Sequence, residues 1–377
     1  MSSLFKTIGW GLFCTSSWTW CIGMWLPLLL IDRWGWPGFW LFAIPNVLGC
    51  AAMGYIVGSR ERSEHLVRRH RGAMRWFSCI TIAFQLFWIT ALSGTLDFKT
   101  LMGSTIATIV VPLAVLLLGT LVATLPRTGW LLTGAALFVW SMTCFGILGT
   151  DSMRQIESTG TISSIELWGA APIIVLGFLL SPYLDLTFHR ARQETPSSHS
   201  FAVFGISFMA ILLFVASYWP IEHPDPFGIL MVFWVLQLIF TIGAHIRELR
   251  ATDDPAPGRW GSSRSLVRVA RIPISLVWIV YFTAGLGIAE VWLLNDTYLR
   301  FLGFYGLAVP VWVLAFMWPI PAARTRPVFI LLGAALLIAF ILAELGMVQT
   351  PTWWLLPAAG LAIVVPLATA RRWPAAA

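Results

Sequence analysis

Charge is scarce in this chain. Only 11% of its 377 residues are Asp, Glu, Lys or Arg, where a soluble domain carries roughly 25%. Hydrophobic residues make up 58% and the mean hydropathy is +0.81, which excludes a soluble globular protein and leaves almost nothing over for a soluble domain. Cysteine is also sparse. Cys14, Cys21, Cys50, Cys79 and Cys144 all sit in or beside apolar runs, with no CxxC and no His/Cys cluster. They read as small core residues, so neither a disulfide framework nor a metal site is expected. The catalytic and nucleotide-binding motifs GxxxxGK[ST], GxSxG, HExxH and GxGxxG after a strand are missing. No intramembrane carboxylate pair has metal-binding spacing, and no His pair is spaced for haem. Enzymatic activity and a bound cofactor are therefore not expected. The net charge of +7 would point to nucleic acid in a soluble protein; here it follows from basic loops, and a nucleic-acid partner is not expected. No small-residue cleavage site follows the first apolar run, so that segment is read as retained.

What the chain has is long apolar runs. A membrane helix needs about 20 apolar residues. By that rule the sequence predicts twelve spans, near 8–31, 36–58, 76–95, 101–124, 129–149, 165–188, 200–219, 227–247, 270–293, 298–319, 327–346 and 352–370. Many of the 22 Trp fall near span ends, where amphipathic rings favour the interface. Turn signals separate the closest spans: Asp32 to Gly38 in one case, Asn295-Asp296 in the other. With the N-terminus inside, twenty of the 24 Lys and Arg lie on cytoplasmic loops, against Arg33, Lys99, Arg154 and Arg300 outside. A missed span would invert this bias beyond the error, so it supports both the count and the topology. The expected location is the cell (inner) membrane, with both termini cytoplasmic. Two cytoplasmic loops, 60–75 and 249–266, are large enough to meet a protein partner or anionic lipid, although enforcing topology is role enough for their arginines.

The polar residues inside these spans are unevenly placed. Thr15 to Gly23 puts Thr15, Ser16, Ser17 and Thr19 in the middle of span 1 beside Trp18 and Trp20, and Pro27 adds a second expected break point. Span 6 is interrupted by Ser181-Pro182, with Tyr183 next and Asp185 three residues beyond Pro182. A proline removes a helical hydrogen bond, and a carboxylate beside a broken helix is costly in lipid, which marks a site. The plainer alternative is that Asp185 pairs with Arg190 or Arg192 at the interface. The interrupted spans are the first and the sixth. Five spans followed by five of opposite orientation is the arithmetic of an inverted repeat, in which broken helices at matching positions point to a transporter site. Other buried polar residues are Asn46, Gln85 beside Trp88, Glu290 and Glu344. His189 and His245 lie near cytoplasmic helix ends, where positive charge meets the helix dipole favourably.

The runs Ser17 to Pro27 and Gly35 to Gly49 resemble the first core helices of sodium:solute symporters, and Asp185 to Arg192 is similar to the end of that family's sixth core helix. The wider resemblance is to LeuT-like transporters. It implies an all-α polytopic membrane protein of about twelve transmembrane helices. Residues 1–150 and 151–321 would form the inverted-repeat core, and 322–377 would be two added C-terminal helices. It also implies a secondary active transporter of a small polar or amphipathic solute, working by alternating access and coupled to a cation or proton. Solute contacts would come from Ser16, Ser17, Trp18, Thr19, Trp20, Gln85, Trp88, Ser181 and Tyr183, and ion coupling from Asp185, Gln237 and Thr241. In the family, sodium is held by carbonyls of the broken first helix and a hydroxyl pair on the eighth. Span 8 here carries Thr241 and Gln237 but no such pair. The alternative is a non-transporting membrane subunit or sensor that keeps the fold and binds a protein partner.

Overall fold

The computed structural model describes residues 2–95, 104–218, 227–253, 291–317, 320–349 and 351–374. Its helices are α1 Ser3–Trp18, α2 Cys21–Val57, α3 Arg60–Thr95, α4 Ser104–Val122, α5 Arg127–Leu148, α6 Glu166–Leu180, α7 Leu186–Glu194, α8 His199–Ala216, α9 Phe227–Asp253, α10 Val291–Phe316, α11 Arg326–Met347 and α12 Leu355–Arg372. Nine helices among the described residues are long and apolar enough to cross a membrane. The first, α2, has 37 residues and at about 1.5 Å per residue is long enough for two crossings. This is a polytopic all-helical membrane protein. The expected ninth span lies almost wholly outside the described residues, as do Glu290 and most of the 249–266 loop.

The chain breaks where its sequence weakens the helix. α1 ends at Trp18 and α2 starts at Cys21, with Thr19 and Trp20 outside helical geometry. Pro27, expected to break the same span, does not: α2 runs through it, and its one non-helical residue is Gly35. A single proline removes one hydrogen bond, and a packed membrane helix can absorb that loss. Gly35 has φ +61°, a region costly to residues with a Cβ, and turns the chain back on itself. Further on, α6 gives way to a tight turn over Ser181–Leu184, and Asp185 starts α7. α3 bends at His70, which separates a polar arm from the apolar remainder.

The described residues form two compact units. One contains Met1–Leu26, Gly54–Arg154 and Asp185–Leu294. In it α1 packs on α5, α8, α9 and α7, and α9 packs on α4, α3 and α5. Phe13, Trp130 and Phe240 join α1, α5 and α9 with ring centroids 5.0–5.9 Å apart. α4 and α9 cross at small residues: a Cβ on Gly243 would lie 2.8 Å from Gly119 O, so glycine there lets the backbones meet. The other unit contains Pro27–Met53, Gln155–Leu184 and Asn295–Ala377. Its core includes Phe42, Phe178 and Tyr305, and Glu166 of α6 accepts from Thr352 N at 2.6 Å. The Gly35 turn is closed by the loop after α5: Trp36 N donates to Glu157 O at 3.0 Å, and Thr161 N and Ile162 N donate to Asp32 O and Arg33 O at 2.9 Å. Glu344 is held by Arg300 at 2.7 and 2.9 Å.

Candidate functional site

Breaking a helix in an apolar interior frees backbone carbonyls, which must find donors. At the α1–α2 break Trp20 N turns to Trp18 O at 3.0 Å, so Ser16 O loses its helical partner, and Thr19 O lies outside both helices. Gln237 of α9 meets both: its Nε2 donates to Ser16 O and to Thr19 O, each at 2.9 Å. Thr241, one turn on, donates to Gln237 O at 2.8 Å and reaches Ser16 O at 3.4 Å. One side-chain amide therefore stands in for the helix across the break.

Trp234, Gln237, Thr241 and His245 follow one stripe of α9, and Ser78, Thr81, Gln85 and Trp88 follow one stripe of α3. The stripes meet at both ends: Ser78 Oγ lies 3.1 Å from His245 Nδ1, and the Trp88 and Trp234 rings are 5.7 Å apart. This antiparallel register sets Gln85 level with Gln237. Gln85 is 0% exposed, yet neither of its amide atoms has a hydrogen-bond partner, nor do Gln237 Oε1 and Trp88 Nε1. Buried amides are normally satisfied. Three aromatic rings close one end of this polar group: Trp25 is 6.1 Å from both Trp88 and Trp234.

The hydroxyls named from the sequence are occupied with backbone. Ser16 donates to Gly134 O at 2.8 Å, Ser17 to Cys14 O at 3.2 Å and Thr19 to Thr15 O at 2.7 Å. Their lone pairs are what they have to offer a ligand. Trp18 is buried with its ring 5.0 Å from Phe188, and Trp20 stands 6.5 Å from Phe84. Ser181 and Tyr183 belong to the second unit, where Ser181 donates to Gly177 O and Tyr183 is buried.

Asp185 is buried and N-caps α7, its Oδ1 accepting from Thr187 N at 2.6 Å. Thr187 in turn donates to Ser17 Oγ at 3.2 Å. The interfacial pairing with Arg190 or Arg192 does not occur. Arg190 binds both oxygens of Glu248 at 3.1 Å, and Arg192 donates to Gly58 O at 2.6 Å. The neighbour of Asp185 is His245, with Nε2 4.0 Å from Oδ2. His245, read from the sequence as a helix-end residue, is 1% exposed, and its place on the Trp234–Gln237–Thr241 stripe was the available signal. His189 pairs with Ser63 at 2.9 Å. Among the described residues no group of three His, Cys, Asp or Glu is arranged to hold a metal ion.

No protein-family model matches this chain, and no curated protein sequence matches it. Solved structures do. A substrate-bound, outward-open Na+-coupled sialic acid symporter aligns over 98% of this chain and 91% of its own, with TM-score 0.53 and 11% identity. The fold is LeuT-like. An inward-facing conformation of Mhp1 aligns over 98% and 89%, with TM-score 0.47 and 13% identity. At 11% identity to the sialic acid symporter, this chain is a diverged example of the fold.

Proposed function

We propose that the protein is a secondary active transporter that moves a small polar or amphipathic solute by alternating access, coupled to a cation. The observation that carries this reading is Gln85, a fully buried amide with no partner beside a broken helix. Orphaned buried amides are costly, and a solute or its water supplies the missing bonds. Gln237 Oε1, Trp88 Nε1 and the lone pairs of Ser16, Ser17 and Thr19 would share the contact, with Trp20 alongside. The sialic acid symporter of the same fold is Na+-coupled, which supports coupling to a cation; Asp185 with Thr241 would carry that coupling. Residues 1–150 and 151–321 would be the two repeats, with 322–377 added, in an inner membrane with both termini cytoplasmic. No covalent step belongs to this reading.

A thermal-shift screen of the purified protein tests it, with amino acids, sugars, carboxylates and quaternary amines, each in sodium, in potassium and at several pH values. At a hundredfold excess over its dissociation constant, a solute that binds only the folded state stabilises it by about 2.7 kcal/mol. The expected result is stabilisation by one solute class, lost in Gln85→Met. One observation favours a second reading. Trp25, Trp88 and Trp234 fill space between α2, α3 and α9, as in a scaffold that binds a protein partner, through residues 60–75 or 249–266, instead of a solute. Absence of stabilisation by any solute, with co-purification of one stoichiometric partner, would replace the transporter reading with that one.

A further inference from the structure

We infer that the coupling ion is a proton, held between Asp185 and His245, and that Gln237 occupies the place a metal cation would take at the broken helix. The inference rests on the transport reading for the word coupling; the proton site itself stands on geometry.

The first observation is the carbonyl cradle. Unwound carbonyls of a broken helix are where transporters commonly seat a coupling cation. Here Ser16 O and Thr19 O each already accept an N–H from Gln237. The amide brings partial positive charge and two directed donors, so the break is held without an ion. A sodium ion would have to displace the amide and leave its two N–H groups unpaired in an apolar interior. Thr241 spends its proton on Gln237 O at 2.8 Å, and its reach to Ser16 O is the longer one, 3.4 Å.

The second observation is independent of the first. One turn along α9, His245 faces Asp185 across 4.0 Å, and both are 1% exposed. Among the described residues no arginine pairs with Asp185: Arg190 is taken by Glu248 and Arg192 by Gly58 O. Among the described residues the groups around the pair come from four helices, and α7 itself carries His189, one turn from Asp185 and bonded to Ser63. α1 brings Cys14 and Ser17, α3 brings Ser78, and α9 brings Glu248, itself engaged by Arg190. α4 has no ionisable side chain. With one proton between them, Asp185 and His245 carry no net charge. Adding or removing one leaves an unbalanced charge at a buried site, the kind of change that drives a conformational step. The 4.0 Å gap exceeds a hydrogen bond, so an arriving proton has room to bond to Asp185 Oδ2 or His245 Nε2. The site touches the broken helix directly through Asp185, Thr187 and Ser17, which gives protonation a route to the proposed solute contacts.

The test is pH-difference infrared spectroscopy of the purified full-length protein, scanned between about pH 4 and 8, the interval that ordinary carboxyl and imidazole groups bracket. Sodium or potassium is the only added salt. The expected result is a protonated-carboxyl band that is absent from Asp185→Asn, unaffected by exchanging potassium for sodium, and shifted by tenfold or more in proton affinity in His245→Gln. His245→Gln also covers a failure of the aspartate variant to fold. A carboxyl band unchanged in both variants, or one abolished by sodium alone, overturns the proton site. The two readings fail separately. A proton transition with no stabilising solute removes transport and keeps the site. Solute stabilisation that requires sodium, without a responsive carboxyl band, keeps transport and removes the site.

Discussion

Gln237 and Thr241 lie one turn apart on α9, and both reach Ser16 O, yet their weights differ. Gln237 is the donor to both freed carbonyls at 2.9 Å, whereas Thr241 reaches one of them at 3.4 Å and already has a partner in its own helix. Gln237→Leu leaves two buried carbonyls without that donor, at about 1–3 kcal/mol each. It should lower the thermal midpoint clearly, while Thr241→Val should cost less than about 1 kcal/mol. Equal losses would mean that the break is held some other way. Gln85 should behave in the opposite sense. Its amide is buried and unpartnered, so Gln85→Met should leave the ligand-free protein as stable or more stable by about 1 kcal/mol, and a loss of stability would show that the amide has an unseen structural partner. None of these weights could be read along the chain. The cluster Thr15–Thr19 announced a break locally, but Gln237 reaches Ser16 O over 221 positions, and no local pattern says which of several buried amides caps a distant carbonyl.

α7 has nine residues, too few to be stable alone. Its start is fixed by the Asp185 cap, and its far end by Arg190 on Glu248 of α9 and by Glu194 on Arg127 of α5, the latter at 2.7 Å. The element is therefore held by side chains of its neighbours. A double-mutant cycle on Arg190→Ala and Glu248→Ala should give a coupling of about 1–3 kcal/mol in detergent unfolding, larger than an exposed pair gives, because Glu248 is buried. A coupling near zero would return α7 to simple packing. The turn at Gly35 is the converse, an element boundary set by one residue's backbone. Gly35→Ala should cost roughly 1–2 kcal/mol for its left-handed φ, and more because the added Cβ meets Glu157 O. These boundaries show what was legible. Gly35 and Pro182 are turn and break signals in themselves, and both mark real interruptions. Pro27 is the same signal inside a helix whose neighbours absorb it, and the sequence holds nothing to tell the two prolines apart.

At the scale of the whole molecule, the bias of Lys and Arg toward alternate loops is the one feature that orders the spans across a membrane, and it predicts a side for every exposed loop. The arm before His70 and the loop after α5 test it best, because α3, α4 and α5 lie between them and an odd number of crossings must put them on opposite faces. Arg68 and Arg154 have side chains 70% and 81% exposed, and the five native cysteines are all buried, so a new cysteine can be read against a quiet background. A membrane-impermeant maleimide added to intact cells should label Arg154→Cys at once and label Arg68→Cys only after permeabilisation. The reverse pattern would keep the span count and invert the orientation. Labelling of both from one side would mean that one of α3, α4 and α5 does not cross. That outcome would also dissolve the arithmetic of five spans followed by five, because a first half with an even number of crossings cannot hand the second half an opposite orientation.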